Sequence, residues 1–284
     1  MLIALCSLKG SPGVTTTALA LAARWPAEQT PVVVECDPAG GDLAARFRLP
    51  STPGLVSLAA AARKSMEASV LWQHVQRLPA GLTVVAGPVG AEQARAALGI
   101  LAPRGTSVLR AAGDQPGVVV LADCGRVDPG STTLPIIRAA DAMVLFAHAR
   151  DDELSHVASK IRTAATWNPR PGFVLVGDGY PTTEVEHELH IGVLDRIPHD
   201  PKGAAVLCGY RRSGPSPDHS ALGRAALRLA SGLGFMHRPH GAPSASPRVG
   251  GHLAAAAPAN QPDVPVGTPQ PPQQWQSSAD GTRP

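Results

Sequence analysis

Aromatic side chains are scarce in this chain: four Phe, four Trp and two Tyr make up 4% of its 284 residues. The interior must therefore be filled by aliphatic side chains, and a sequence that is 44% hydrophobic supplies them as Ala, Val and Leu. Cysteine is scarce too, and the four present, Cys6, Cys36, Cys124 and Cys208, are widely spaced with no CxxC pair. Neither a zinc site nor a disulfide framework is expected from them. Three of the four end apolar strand-like runs, where the simple reading is a small buried residue. No apolar run approaches the roughly 20 residues that span a bilayer. No basic region precedes the short apolar opening, which counts against a secretory signal, and the expectation is a cytoplasmic protein. Strong charge of either sign is also missing: a formal +3 with a pI near 8.8 is too mild to imply a polyanionic partner.

Apolar runs of strand length recur along the chain: "LIALCS", "PVVVECD", "LTVVAG", "GVVVLADCG", "AMVLFAHA" and "GFVLVGDG". They are Val-rich and lack clean alternation, as strands covered on both faces do. Between them lie segments of helical character, among them "TTTALALAAR", "EQARAALGILA" and "ELSHVASKIRTAA". Strand alternating with helix predicts a doubly wound α/β domain with a mostly parallel sheet over residues 1–235. Ligands of such sheets bind beyond the carboxyl ends of the strands, where Ser7, Asp37, Asp123 and Asp178 fall. Residues 236–284 are rich in Pro, Gly, Ala, Ser and Gln and hold hardly any aliphatic periodicity, so a disordered tail is expected there. Its "PQPP" reads as plain solvated chain, with a polyproline ligand as the alternative. No repeat of solenoid or propeller period is found.

One stretch carries most of the functional information: "LCSLKGSPGVTTTALALAARW", residues 5 to 25, a strand, a glycine-bearing loop and a helix closed by Pro26. That is the context of a phosphate-binding loop, whose backbone N–H groups and helix N-terminus face phosphates. The general pattern GxxxxGK[ST] is not met, since Leu8 stands at its first glycine and Val14 at its lysine. The loop resembles that of the deviant Walker-A ATPases of the MinD/ParA type, in the CobQ/CobB/MinD/ParA nucleotide-binding group, which reads KGGxGK[ST] with an additional signature lysine. On that resemblance "KGSPGVT" gives Lys9 as the signature lysine, Gly10 and Gly13 as loop glycines and Thr15 as the hydroxyl expected on Mg²⁺. Ser11, Val14 and Thr16 complete the phosphate-side set, with Ser11 in place of a glycine and Val14 in place of the phosphate-binding lysine. "VVVECDPAGGDLA" is similar to the family's DxDPxG segment, with Glu35 at its first acid and Asp37 at the second, which the resemblance implies positions attacking water. "VVVLADCGRV" looks like the Walker-B region and makes Asp123 the acid of the magnesium shell, while "RAADAMVLFAHA" matches the helix end and strand that follow. "VLVGDGY" and "RIPHDPKGA" resemble the adenine-side loops, pointing to Asp178, Pro198 and Asp200. The resemblance covers residues 1 to 235 in consistent order and implies a P-loop NTPase fold, ATP and Mg²⁺ as cofactors, and a nucleotide-dependent homodimer in which Lys9 reaches the facing subunit's nucleotide.

Two departures bear on what such a site does. Val14 removes an ammonium from the phosphates and Pro12 has no N–H to give the loop. One lost charge-assisted contact is worth about 1.5–3 kcal/mol, roughly tenfold to a hundredfold in affinity. Hydrolysis is expected to suffer more than binding, because phosphoryl transfer depends on positioning and charge neutralisation. The leading expectation is an ATP-binding partitioning or positioning switch. The alternatives are a pseudo-ATPase scaffold that has lost turnover and a ligase-like or synthase-like enzyme of the same superfamily.

Other constellations are weaker. "VEHELH" spaces His187 and His190 three apart, whereas HExxH zinc sites need four, and it reads as a solvated polar helix. Arg211 and Arg212, with Arg224 and Arg228 further on, resemble in placement only the surfaces with which partition ATPases bind DNA nonspecifically, and read first as solvated faces. "ARDDELSHV" reads as a helix start with acids at its positive end. The proline-broken, nearly uncharged tail carries no amphipathic basic helix, so no direct membrane anchor is expected and the protein partner stays unknown.

Overall fold

A computed structural model describes residues 1–78, 81–211, 214 and 216–236; the expected tail, from residue 237 onward, and Arg212 of the basic cluster lie outside the described residues. In chain order the elements are β1 (Leu2–Ser7), α1 (Val14–Arg24), β2 (Thr30–Glu35), α2 (Leu43–Phe47), α3 (Leu55–Ala62) and α4 (Ala68–Trp72). There follow β3 (Gln76–Arg77), β4 (Thr83–Val85), α5 (Ala91–Gly113), β5 (Val118–Arg126), α6 (Leu134–Ala139) and β6 (Ala142–His148). The domain closes with α7 (Asp151–Ala164), β7 (Pro171–Val176), α8 (Thr182–Leu189), β8 (Asp195–Ile197), α9 (Pro201–Leu207) and α10 (Ala221–Met236). The strands form one sheet in the order β3-β4-β2-β5-β1-β6-β7-β8. Every pairing is parallel except β3 with β4.

The six apolar runs all become strands because each of their side chains has an apolar layer to enter, whichever face it points to. Leu2, Ala4 and Cys6 of β1 join Val32, Val34, Val120, Ala122 and Cys124 in one layer, covered by Leu58 of α3, Leu98 and Leu101 of α5, Ile137 of α6 and Val157 of α7. Ile3 and Leu5 point the other way, with Val33, Val119, Leu121, Val144 and Phe146, onto Leu19 and Leu21 of α1 and Leu229 and Leu233 of α10. A strand buried on both faces has no place for polar alternation, which is why the runs read as continuous. All four cysteines are buried and free, and burial pushes the Cys6 thiol up to about 12. Among the described residues no helix is long and apolar enough to cross a membrane.

The short edge strands β3 and β8 are additions to the six expected. With two and three residues they carry no pattern of their own, and tertiary pairing at the sheet's borders makes them strands. β1 occupies the middle of the sheet, between β5 and β6, so the loop at its carboxyl end opens over the sheet's centre.

Candidate functional site

Leaving β1, the chain turns through Gly10 (φ 68°) and Gly13 (φ 87°) into α1. Gly13 is the N-cap in the left-handed conformation and no side chain caps the helix, so the first-turn amides of α1 face the loop rather than a protein acceptor. Glycine-permitted curvature with uncapped amides is the geometry an anion needs. Lys9 and Ser11 are exposed, Pro12 is buried and Thr15 and Thr16 are half-buried. Val14 is 6% exposed and sits in the apolar layer with Leu19, Leu21 and Phe146. Its side chain serves the core and offers nothing to a ligand.

Asp123 lies on β5 level with Leu5 of β1 and Glu35 of β2. It is 1% exposed, its Oδ1 accepts the Gly125 N–H at 3.1 Å, and the Thr15 side chain stands close enough to favour its charged form. Burial pushes its acid up to about 6 against Thr15 and the Gly125 amide, with Asp37 and Asp42 adding to the rise. Asp37 follows β2, is held by an Asx turn in which the Ala39 N–H donates to its Oδ1 at 2.7 Å, and lies over Gly125, where a Cβ would run into its carboxylate. Burial raises Asp37 too, with the Ala39 amide and Arg126 opposing. Thr15, Asp123 and Asp37, placed together by sequence reasoning, therefore meet at one spot from three separate segments. A hydroxyl beside a buried carboxylate, with more acids close by, suits a magnesium ion that keeps several waters and phosphate oxygens.

Glu35 has a different task from the acids around it. Only 2% exposed, it accepts the Asp42 and Leu43 amides on Oε1 at 2.8 and 3.1 Å, and the Gly87 amide on Oε2 at 2.9 Å. It ties the turn after β2 to the turn after β4 and so fixes the segment that bears Asp37. Burial dominates its environment and pushes its acid up to about 7.

Beside the loop runs a cleft of about 230 Å³, lined by Ser11, Gly13 and Thr16 on one side and by Pro198, His199 and Asp200 on the other. Thr16 Oγ1 lies 3.3 Å from Cys208 Sγ. Pro198 and Asp200 thus fall beside the loop, but the Asp200 oxygens are committed: Oδ1 accepts from Gly203 at 2.9 Å and Oδ2 from Leu222 at 3.0 Å, joining α9 to α10. Asp178 is exposed and does not line the cleft. Three larger depressions among the described residues, of about 780, 700 and 420 Å³, are lined by none of residues 9–16 and so lie apart from this site.

A pair that sequence reasoning missed borders the loop on the β6 side. Glu153, the third acid of α7, is 6% exposed instead of solvated. It folds back so that Oε2 accepts the His148 amide at 2.8 Å and Oε1 meets His148 Nδ1 at 2.7 Å. A Cβ at Gly10 would run into the same carboxylate. The signal was local, a histidine five residues before an acid across a strand-to-helix turn, but helix-start acids usually face water.

The other constellations stay apart from the cleft. His187 is exposed, and His190 follows α8 at a φ of 52° with its ring 6.4 Å from that of His187. Arg228 pairs with Asp195 at 3.0 Å and Arg224 donates to the His219 carbonyl, while Arg211 is exposed.

No protein-family model matches this sequence, and no curated protein does. Solved structures do resemble it. A ParA family ATPase from Chlorobium tepidum superposes with a TM-score of 0.64 at 15% identity, over 81% of this chain and 98% of that one. The cell division ATPase MinD of Pyrococcus furiosus gives 0.62 at 18% identity, over 83% and 99%. An ATP complex of a Cyanothece McdA variant gives 0.58 at 16% identity, over 82% and 96%. With its central β1, its loop into α1 and its mostly parallel sheet, the chain has the P-loop fold of the MinD and ParA ATPases.

Proposed function

We propose that this protein binds ATP with Mg²⁺ at the loop of residues 9–15 and works as a partitioning or positioning switch whose hydrolysis is slow. The observation that carries the reading is the buried carboxylate of Asp123, with the Thr15 side chain and Asp37, seated on Gly125, beside it. A merely structural turn has no need of a buried carboxylate that burial and neighbouring acids push up to about 6. A bound magnesium ion would neutralise phosphate charge at that place. Thr15 and Asp123 would hold it, the amides of Gly10, Ser11 and Gly13 to Thr16 would bind phosphate oxygens, Asp37 would orient water, and Pro198 with the backbone around Asp200 would border the base. Exposed Lys9 has no ion pair among the described residues, which leaves it available to a nucleotide in a second copy of the chain. The likeness in fold to MinD, ParA and McdA ATPases supports the switch role.

Val14 favours the second reading, a pseudo-ATPase scaffold, because its side chain is spent on the core. Phosphate release under saturating ATP separates the two. Slow turnover that Asp37→Ala abolishes while binding persists supports the switch; binding with no release above background supports the scaffold.

A further inference from the structure

Val14 leaves the loop without the lysine of the general pattern, yet the cleft beside it does not lack a candidate. Among the side chains lining that cleft, those able to carry positive charge are His148 and His199. His199 is not bonded to any acid among the described residues, whereas His148 is built in. It ends β6, two residues past Phe146, the register partner of Ser7 where the loop begins. Its Nδ1 is held by Glu153 at 2.7 Å and its own amide by the same carboxylate at 2.8 Å. Nε2 has no hydrogen-bond partner among the described residues and is left as the ring's free polar atom. The Glu153 carboxylate fills the space a Gly10 side chain would take, so the pair and the phosphate loop are packed on one another.

We propose that His148, oriented by Glu153, supplies the phosphate contact that Val14 does not. This rests on the nucleotide reading above. A carboxylate on Nδ1 fixes the ring's orientation and stabilises the imidazolium, leaving Nε2–H to donate to a phosphate oxygen.

The test is equilibrium titration of the full chain with ADP and with adenosine, both in EDTA, for the wild type, His148→Gln and Glu153→Gln. His148→Gln is expected to weaken ADP about tenfold or more, the value of one charge-assisted contact, and to leave adenosine, which has no phosphate, unchanged. Glu153→Gln keeps an acceptor for the His148 amide but removes the charge, and is expected to weaken ADP in the same sense by less. ADP affinity unchanged in His148→Gln, or an equal loss for adenosine, overturns the role of His148 even though ADP binds. Absence of ADP binding by the wild type overturns the nucleotide reading itself, and this proposal with it.

Discussion

Val14 stands where a lysine would reach phosphate, and it is held at 6% exposure among Leu19, Leu21 and Phe146. A lysine there can leave the apolar layer along its own stem, forfeiting about 1–2 kcal/mol of valine burial. Val14→Lys is accordingly expected to lower the thermal midpoint by a few degrees while tightening nucleotide binding about tenfold to a hundredfold, both measurable on one preparation by calorimetry. At Glu35 the effect is on stability and its pH dependence. Its acid is raised from 4.5 to about 7, so the folded chain holds this proton more tightly than the unfolded one. The resulting stabilisation is complete below the unfolded value and is lost as pH rises through about 7. Asp123, raised to about 6, acts in the same direction. Without nucleotide or Mg²⁺ the wild type is expected to melt lower at pH 8 than at pH 5, and Glu35→Gln to flatten that slope. An unchanged slope in the variant would show that Glu35 titrates normally.

At the scale of elements, the site depends on three turns that leave β1, β2 and β5 side by side at the carboxyl edge of the sheet. Gly125, the next-to-last residue of β5, is the tightest point at that edge, with a φ of 58° and the Asp37 carboxylate where its side chain would be. Gly125→Ala is expected to cost about 1–3 kcal/mol and to displace Asp37, lowering phosphate release more than nucleotide affinity. Equal losses in both would mean that the end of β5, and not Asp37, is what matters. Much of this arrangement was legible in the sequence, because Lys9 to Thr15, Asp37 and Asp123 each sit just past, or near the end of, an apolar run that could only be a buried strand. The Glu35 clamp was not, since its partners Gly87 and Asp42 come from loop segments with no pattern of their own. Nor was the His148–Glu153 pair, because an acid in a first helical turn looks the same in sequence whether it faces water or folds back onto the preceding strand. Asp200 was legible as a cleft residue, but the two helix starts that occupy its oxygens are a tertiary fact.

For the whole molecule, a sheet covered by helices on both faces, with Phe146 among its largest fully buried side chains, supplies a rigid edge on which such turns can be held. The doubly wound fold followed from the alternation of Val-rich runs and helical segments. The edge strands β3 and β8 did not, because two or three residues become strand only by pairing. What the edge holds decides the function. Calorimetric titration of the purified chain with a nonhydrolysable ATP analogue, with and without Mg²⁺, beside Asp123→Asn and Thr15→Ala, tests this most directly. The expected result is saturable binding by the wild type that Mg²⁺ strengthens and that loses its Mg²⁺ dependence in both variants. No binding at millimolar nucleotide, or a Mg²⁺ dependence that survives both substitutions, would contradict a nucleotide site built on Thr15 and Asp123.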